Sequence, residues 1–375
     1  MAALDLASQS IRVSNPNPRV GCTIVSPEGQ TIGEGHTQQA GGHHAEVMAL
    51  SDAQTRGLSV VGATVNVTLE PCSHHGRTPP CCDALIRAQV GKVMVATVDP
   101  NPLVAGRGIA RLREAGIEVV LLPVDDSVAR ASRELNIGFF SRMTRQIPWV
   151  RMKVASSLDG TTALANGTSQ WITGEKARID GQSWRARSCA VITGIGTVLE
   201  DDPMLDVRFV ETPRQPHLVV VDSQLKMPLH ARLFQPTSNG LKRQILVYHA
   251  CADSDKQLAL QEKSVVLVNS PESAAGRNKV DLQLLLQDLA HREVNEVLLE
   301  AGHGLNGSFV KEGLVDEFLV YLAPKWLGKG SGMSNFGPID KLEDGVQLQF
   351  RSTETLGDDL RILARVAGRD AFLNG

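Results

Sequence analysis

The stretch LEPCSHHGRTPPCC, residues 69–82, concentrates three cysteines, two histidines and three prolines within fourteen positions. Sulfur and imidazole side chains cluster in this way in disulfide knots, structural zinc sites and catalytic metal centres. The chain has 375 residues, which is more than one such site requires. The stretch therefore raises two questions: which chemistry it supports, and what the rest of the chain does.

The composition is that of an ordinary globular protein. Hydrophobic residues make up 42% of the chain, charged residues 21%, and the formal net charge is −3. This balance predicts no basic face for nucleic acid, and no apolar run reaches the roughly 18 residues of a membrane span. The N-terminal segment lacks the pattern of a signal peptide. We therefore expect a cytoplasmic protein that binds neither nucleic acid nor membranes, in which clustered cysteines bind metal or take part in catalysis.

Helical and strand-like patterns alternate along the chain, which predicts an α/β fold, and the length favours two domains. The pattern VARASRELNIGFFSRM, residues 128–143, predicts one long helix. The overlapping segment RMTRQIP, residues 142–148, is polar, basic and ends in proline. We place the domain boundary here, with a first domain over residues 1–144 and a second over residues 145–375, which ends in paired strands.

A second motif, HHAEVMAL at residues 43–50, lies upstream of the cysteine cluster. His44 and Glu46 form an H-x-E pattern, and Cys72 and Cys81 each follow a proline. Zinc-dependent nucleobase deaminases hold their metal with one His and two Cys, and a non-ligating Glu moves protons. Their open fourth position takes a water molecule whose pKa falls from 15.7 towards about 7. The eight residues between Cys72 and Cys81 differ from the usual C-x-x-C spacing.

Helix geometry restricts how the H-x-E pair can meet one metal ion. Each helical residue turns by about 100°, so His44 and Glu46 would point to nearly opposite sides of a regular helix. They can share a site only in an irregular first turn, and the preceding Gly41-Gly42 is consistent with a helix that begins there.

Other interpretations of the cluster and of the chain remain open from the residues alone. A closed structural zinc site would need a fourth ligand, for which the candidates are Cys82, His43, His74 and His75. A disulfide between the adjacent Cys81 and Cys82 would be strained. A nucleic-acid base deaminase should have a basic face and stacking aromatics, whereas the net charge is negative and aromatics make up 4%. A non-enzymatic metal scaffold would leave no exchangeable water on the metal.

A glycine-rich turn in the second half has a different chemistry. In EAGHGLNG, residues 300–307, Gly302, Gly304 and Gly307 follow a strand-like run and open a helix-like one, as a phosphate cradle does. A tight turn without a ligand is the alternative. Too little chain follows for a Rossmann fold. A second glycine turn, TGIGTVLEDDP at residues 193–203, includes Asp201.

Three segments together carry a family resemblance. PCSHHGRTPPC (71–81), NPNPRVG (15–21) and DPNPLVAGRG (99–108) closely resemble the bacterial bifunctional riboflavin-pathway deaminase–reductases, and the resemblance extends over nearly the whole chain. It implies an N-terminal three-layer zinc cytidine-deaminase-like domain and a C-terminal dihydrofolate-reductase-like α/β domain. It also implies one zinc ion per chain, NADPH as cofactor and a homodimer. The expected reactions are deamination of a diaminopyrimidinone that carries a phosphoribosylamino group, followed by reduction of its ribose.

The resemblance also implies roles for residues of the first domain. The expected zinc ligands are His44, Cys72 and Cys81, with Glu46 as proton donor and acceptor. The expected substrate pocket contains Asn17, His74, Arg77, Asp99 and Asn101. The planar fork of Arg77 is suited to a substrate phosphate. We expect Cys82 to begin a helix and to point away from the metal.

In the second domain the matching motifs are SLDG, SQWIT, TVLEDDP, VVDS, EAGHGLNG and APKWLG. They imply cofactor contacts at Ala155, Trp171, Thr197, Asp201, Ser223, Gly302, His303, Gly304, Leu305, Asn306 and Gly307. They imply substrate contacts at Ser169, Arg185, Leu205, Arg208 and Glu300. The two arginines are expected to hold the substrate phosphate, with solvated surface charges as the alternative. Glu300 is expected to assist ring opening by proton transfer. The hydride comes from the cofactor, so the protein mainly orients the reactants.

Overall fold

A computed structural model describes residues 1–74, 79–271 and 278–374. The chain forms two compact units: Pro148–Arg369 is the second, and Met1–Ile147 together with the segment from Asp370 onwards is the first. The division between the units therefore lies three residues beyond the boundary expected at residue 144. The segment from Asp370 onwards, which we expect from the sequence in the second domain, belongs to the first unit. The reason is local packing, because the Phe372 ring lies 5.3 Å from the Arg145 guanidinium and Leu373 is buried.

The first unit contains a five-stranded sheet in the order β2-β1-β3-β4-β5. Its strands are β1 (Gly21–Val25), β2 (Thr31–His36), β3 (Thr64–Val67), β4 (Lys92–Val95) and β5 (Glu118–Leu121). Strand β1 is antiparallel to β2 and β3, whereas β3, β4 and β5 are parallel. The helices are α1 (Ala2–Gln9), α2 (Ala45–Thr55), α3 (Cys81–Arg87), α4 (Arg107–Glu114), α5 (Ser127–Leu135) and α6 (Ile137–Arg145). The metal-site motifs lie at the start of α2, after β3 and at the start of α3.

The expected single helix over residues 128–143 is two helices, α5 and α6, which meet at Asn136. The Asn136 side chain accepts a hydrogen bond from the Arg19 amide at 2.7 Å and donates to the Arg19 carbonyl at 2.9 Å. This pair of bonds with a distant segment fixes Asn136 in a non-helical conformation, so tertiary contacts override the local helical pattern.

The second unit contains a nine-stranded sheet in the order β11-β10-β9-β8-β12-β6-β13-β16-β15. Its main strands are β6 (Trp149–Ser157), β8 (Ala190–Gly194), β9 (His217–Val221), β10 (Ile245–His249), β11 (Val265–Asn269), β12 (Glu296–Leu299), β13 (Glu317–Ala323), β15 (Leu348–Leu356) and β16 (Asp359–Val366). A short pair, β7 (Ala163–Leu164) and β14 (Gly330–Ser331), lies beside it. The helices are α7 (Glu175–Arg187), α8 (Ile195–Asp201), α9 (Ser254–Gln261), α10 (Leu282–His291) and α11 (His303–Lys311).

Seven neighbouring strands of this sheet, β11 to β13 in the sheet order, are parallel, and β16 and β15 continue it antiparallel. The central strands β8 and β12 are buried at every residue, as expected for short apolar runs inside a parallel sheet. The expected strand pair at the end of the chain is confirmed as β15 and β16. Because parallel strands end at the same edge, the residues that follow β8, β9 and β12 lie along one edge of the sheet. No helix among the described residues has the length and apolarity needed to cross a membrane.

Candidate active sites

The metal-binding motif forms a compact cluster in the first unit. His44 Nδ1 lies 3.6 Å from Cys72 Sγ and 3.3 Å from Cys81 Sγ, and the three ligand atoms all lie within 4.8 Å of one another. Two ligands around a tetrahedral zinc ion, with bonds of about 2.0–2.3 Å, are separated by about 3.5 Å. The cluster therefore has the donor types and the spacing of a three-ligand zinc site.

The start of α2 explains how His44 and Glu46 reach the same site. His44 is the residue before the helix and has extended backbone angles, φ −77° and ψ 166°. Glu46 lies in the first helical turn and is 3% exposed. The irregular first turn that the H-x-E spacing requires is therefore present. The carboxyl group of Glu46 lies close to both cysteines, because the charge of Cys72 raises its pKa and a hydrogen bond with Cys81 lowers it.

The thiols and the carboxyl group have strongly shifted pKa values. Hydrogen bonds with Cys81 and His44 lower the pKa of Cys72 to about 4. The hydrogen bond with Cys72, together with burial, raises the pKa of Cys81 well above its ordinary value. Burial and the negative charge of Cys72 raise the pKa of Glu46 to about 7. A carboxyl group with this pKa can both accept and donate a proton at neutral pH.

Cys82 lies outside the ligand cluster. Its thiol donates to the carbonyl oxygen of Pro71 at 3.3 Å and approaches that of Gly108 at 3.6 Å. Cys81 and Cys82 are the first two residues of α3, and neighbouring residues of a helix point about 100° apart. The helix start therefore directs only one of the two thiols to the metal ligands.

The structure describes four of the five expected substrate residues of the first unit. Asp99 follows β4, is buried, and accepts a hydrogen bond from the Asn101 amide at 2.8 Å. Burial raises the pKa of Asp99 to about 7, and the charge of Cys72 contributes to this shift. His74 has a buried Nδ1 without a hydrogen-bond partner among the described residues. Asn17 lies half-buried between α1 and β1, and Arg77 lies outside the described residues.

The glycine-rich turn of the second unit begins α11 as expected. Gly302 is the residue before the helix, and its amide donates to the Thr197 hydroxyl oxygen at 3.1 Å. A Cβ atom at Gly304 would meet nothing within 4 Å, so the first turn of α11 faces open space. At Gly307 a Cβ atom would lie 2.2 Å from the Asn335 carbonyl oxygen. The first glycines thus form an open cradle, and the last allows close packing.

The other expected cofactor residues lie at several places on the second unit. His303 is exposed, Leu305 is half-buried, and Asn306 is buried and donates to the Met333 carbonyl at 3.0 Å. Ala155 lies in β6, Asp201 is the exposed last residue of α8, and Ser223 follows β9 and accepts from the Val280 amide at 3.2 Å. Trp171 is 63% exposed, and the Arg178 guanidinium lies 4.7 Å from its ring. Thr197 is hydrogen-bonded to the glycine turn itself, through the Gly302 amide.

The expected substrate residues of the second unit include a buried ion pair. Arg185 donates to both carboxylate oxygens of Glu300, at 2.8 and 3.0 Å, and to the Asp206 carbonyl at 2.5 Å. Burial would raise the pKa of Glu300, but Arg185 and Lys153 outweigh burial and lower it. Three N–H groups of Arg185 are therefore already bonded to protein oxygens. Arg208, whose side chain is 37% exposed, is the more open of the two arginines.

The loop over residues 202–209 carries Leu205 and Arg208 and has almost no regular structure. Leu205 is buried and has a φ of +49°, a strained conformation for leucine. Arg243 donates to the Leu205 carbonyl at 2.8 Å, Gln215 binds both the amide and the carbonyl of Val207, and Gln182 accepts from the Arg208 amide. Long side chains from elsewhere in the unit thus hold this loop. Ser169 lies half-buried in a different loop, after β7.

Comparisons with known proteins identify a domain family for each unit. The model for the cytidine and deoxycytidylate deaminase zinc-binding region matches residues 1–97, and the model for the RibD C-terminal domain matches residues 148–362. The riboflavin biosynthesis protein RibD of Escherichia coli K12 is 41% identical over 372 residues, which is 96% of each chain. That of Aquifex aeolicus is 40% identical, over 96% of this chain and 95% of the relative.

Solved structures give the same result. Acinetobacter baumannii RibD superimposes with a TM-score of 0.85 at 40% identity, over 97% of both chains. A Thermotoga maritima deaminase/reductase superimposes with a TM-score of 0.83 at 30% identity, also over 97% of both chains.

The chain belongs to the RibD family.

Membership of the RibD family confirms the expected fold and general function. The chain is a bifunctional deaminase–reductase of riboflavin biosynthesis, with a cytidine-deaminase-like zinc-binding domain followed by a RibD reductase domain. The sequence interpretation missed Lys153, whose amino group lies 3.9 Å from Glu300. Two charged residues, Arg151 and Lys153, interrupt the strand-like run WVRMKV, and a lysine at such a position was the signal that would have identified it.

Proposed function

We propose that this chain catalyses two consecutive steps on one phosphoribosylaminopyrimidine. The first unit hydrolytically deaminates 2,5-diamino-6-(5-phosphoribosylamino)pyrimidin-4(3H)-one. The second unit reduces the ribosyl group of 5-amino-6-(5-phosphoribosylamino)uracil to ribityl with NADPH. The Thermotoga maritima relative is described as a deaminase and reductase of this kind. The observation that carries the proposal is the buried Glu46 beside the His44, Cys72 and Cys81 cluster, in a chain that also contains the RibD reductase domain.

In the deaminase step His44, Cys72 and Cys81 would hold one zinc ion per chain. When bound, zinc supplies a water molecule of lowered pKa in its open position. Glu46 would accept a proton from the attacking water and deliver a proton to the departing amine, which its pKa of about 7 favours at neutral pH. Burial of Glu46 keeps its proton away from bulk solvent.

The pyrimidine of the substrate is held by Asp99 and Asn101, with Asn17 and His74 as further contacts. The buried Asp99 and the unpartnered Nδ1 of His74 support this assignment, because buried polar atoms of this kind gain stability from a polar ligand. Arg77 binds the substrate phosphate.

In the reductase step the ends of the parallel strands would hold NADPH, and the amides at the start of α11 would bind one of its phosphates. Exposed amides at a helix N-terminus bind phosphate, and the open space at Gly304 leaves room for it. The remaining contacts come from Ala155, Trp171, Asp201, Ser223 and the residues that follow Gly302. Thr197 supports the turn through its bond with the Gly302 amide.

Substrate in the reductase step is held by Ser169, Leu205, Arg185, Arg208 and Glu300. Arg208 binds the substrate phosphate, and Arg185 orients the carboxylate of Glu300. Glu300 assists ring opening by proton transfer, with the Lys153 amino group 3.9 Å away. NADPH supplies the hydride, and these residues orient the sugar carbon towards it.

The test is a coupled assay with the diaminopyrimidinone phosphate as substrate. Ammonia release and loss of NADPH absorbance are followed separately, and the second reaction is repeated with NADH. We expect ammonia release without NADPH, reduction only after deamination, and a higher catalytic efficiency with NADPH than with NADH. No ammonia release by zinc-loaded protein would contradict the proposed substrate, and equal efficiency with both cofactors would contradict the choice of NADPH.

We also propose that the chain acts in the cytoplasm as a homodimer. Strand β15 is at the edge of the nine-stranded sheet and is largely exposed. Leu348 and Phe350 of β15 are 44% and 75% exposed, and Leu342, which precedes the strand, is 94% exposed. An open strand edge with exposed apolar side chains favours association. Light scattering should give the mass of a dimer, and Phe350→Glu should shift the population to monomer. A monomeric wild-type chain at micromolar concentration would exclude this proposal.

A further inference from the structure

Glu70 has an unusual set of partners in the first unit. It lies two residues before the zinc ligand Cys72 and is 4% exposed. One carboxylate oxygen accepts from the amides of Asp99 at 3.2 Å and Gly106 at 2.9 Å. The other accepts from the amides of Gly108 at 2.8 Å and Ile109 at 3.1 Å. Four backbone donors thus compensate the burial of one charged side chain, which would otherwise be costly.

The four donors all belong to the segment from Asp99 to the first turn of α4. Gly106 is the residue before α4, and Gly108 and Ile109 lie in its first turn, where helical amides have no partner within the helix. Glu70 supplies the missing acceptors from another part of the chain. Its carboxylate therefore links the segment that carries Cys72 to the segment that carries Asp99 and Asn101.

Two further contacts join the same segments. A Cβ atom at Gly108 would lie 2.1 Å from the Pro71 carbonyl oxygen, so the two backbones touch there. The Cys82 thiol lies between the carbonyl oxygens of Pro71 and Gly108. These contacts fix the distance between the segments, whereas the bond from the Asp99 amide to Glu70 fixes the position of Asp99.

From Asp99 the bonds continue along the loop. The Asp99 carboxylate accepts from the Asn101 amide at 2.8 Å, and the Asn101 side chain accepts from the Leu103 amide at 3.0 Å. An uninterrupted series of side-chain to backbone bonds therefore runs from Glu70 through both expected substrate residues. A shift of the Glu70 carboxylate would move the polar groups that face the pyrimidine.

We propose that Glu70 is a positioning residue of the deaminase, which holds Asp99 and Asn101 at a fixed place relative to the metal ligands and thereby sets the affinity for the pyrimidine. This inference rests on the proposed function, because it takes Asp99 and Asn101 as substrate contacts. Among the residues that the structure describes, the Glu70 carboxylate accepts hydrogen bonds from backbone amides and from no side chain. Its effect should therefore appear in KM, with little change in zinc content.

The decisive variant is Glu70→Gln in the full-length, zinc-loaded chain. The amide keeps the shape of the side chain but replaces one acceptor oxygen with an NH2 group, so two of the four backbone amides lose their acceptor. Because misplacement by about 1 Å can cost up to roughly 100-fold, we expect KM for deamination to rise about 10-fold or more. We expect kcat to change by less than about 3-fold, as for a loss of substrate binding alone.

Three measurements accompany the kinetics. Zinc content should equal that of the wild type, and NADPH-dependent reduction of the already deaminated substrate by the same chain should be unchanged. Hydrogen exchange should become faster at the amides of Asp99, Gly106, Gly108 or Ile109. Glu114→Gln, at the exposed end of α4, is the matched control and should leave all of these values unchanged.

An unchanged KM together with faster exchange at these amides would overturn the proposal, since the bonds would then have no effect on substrate. Loss of zinc in proportion to activity would also overturn it, since Glu70 would then serve the ligand segment alone. If Glu70→Gln is insoluble, Glu70→Asp is the second variant. Its side chain keeps the carboxylate but is too short to reach both pairs of amides. A wild-type KM for Glu70→Asp would overturn the proposal. A wild-type chain that releases no ammonia would instead contradict the proposed substrate.

Discussion

At the scale of single residues, the deaminase site depends on where a proton resides. Hydrogen bonds lower the pKa of Cys72, whereas burial and the charge of Cys72 raise the pKa of Glu46 to about 7. A low pKa suits Cys72, because a metal ligand must be deprotonated, and a pKa near neutral suits Glu46, because it must exchange protons. We therefore expect one carboxyl group, that of Glu46, to carry out both proton transfers.

Glu46→Gln should separate metal binding from proton transfer. The three ligands remain, so we expect zinc content by mass spectrometry to equal that of the wild type. Ammonia release should fall by about 100-fold or more, because general acid–base catalysis contributes this much. Reduction of the deaminated substrate by the same chain is the internal control for folding. Deamination at the wild-type rate would show that another group moves the proton.

The adjacent cysteines provide a second test at this scale. Cys72→Ser and Cys81→Ser each remove a ligand and should reduce bound zinc to a small fraction. Cys82→Ser should keep zinc, because the Cys82 thiol donates to the carbonyls of Pro71 and Gly108. A folded Cys82→Ser protein that lacks zinc would mean that the ligand set includes the other thiol.

At the scale of elements, turns before helices form both sites. His44 precedes α2, Cys81 begins α3 and Gly302 precedes α11. The residue before a helix is extended while the next residues are helical, so side chains two positions apart can converge, and the first amides remain open to a ligand. The same local geometry thus forms the candidate metal cluster in one unit and the candidate phosphate cradle in the other.

Gly304→Val tests the phosphate cradle at the start of α11. Outside its own helix turn, a Cβ atom at this position would meet no described atom within 4 Å, so the free protein should tolerate the side chain. A bound phosphate requires close approach of the backbone, so we expect the Kd for NADPH, measured by fluorescence titration, to rise about 10-fold or more. The melting temperature without cofactor should not fall, which serves as the folding control. An unchanged Kd would exclude a phosphate at this turn.

At the scale of the whole molecule, two units with separate sheets share one chain. All the candidate zinc ligands lie in the first unit, and the glycine turn and the Arg185–Glu300 pair lie in the second. The second unit has hydrophobic cores of its own, including one formed by Leu218, Val220 and Val247. Each unit is long enough to fold by itself.

A fragment of residues 148–369 should therefore fold, bind NADPH and reduce the deaminated substrate without releasing ammonia. The fragment 148–375 is the matched comparison. It retains Phe372 and Leu373, which pack within the first unit, and should be less soluble. Size-exclusion chromatography and NADPH titration measure both. A monodisperse 148–369 fragment that cannot bind NADPH would mean that the reductase site requires the first unit.

The sequence by itself determined the two α/β units, the H-x-E and Pro-Cys motifs and the glycine turn, because these depend on spacing along the chain. Tertiary structure decided which thiol joins His44, where residues 128–143 break, and to which unit the C-terminal segment belongs. It also decided that Arg185 is bonded to Glu300, and it revealed Glu70. These features join residues far apart in the chain, such as Asn136 with Arg19, and only the folded packing brings such residues into contact.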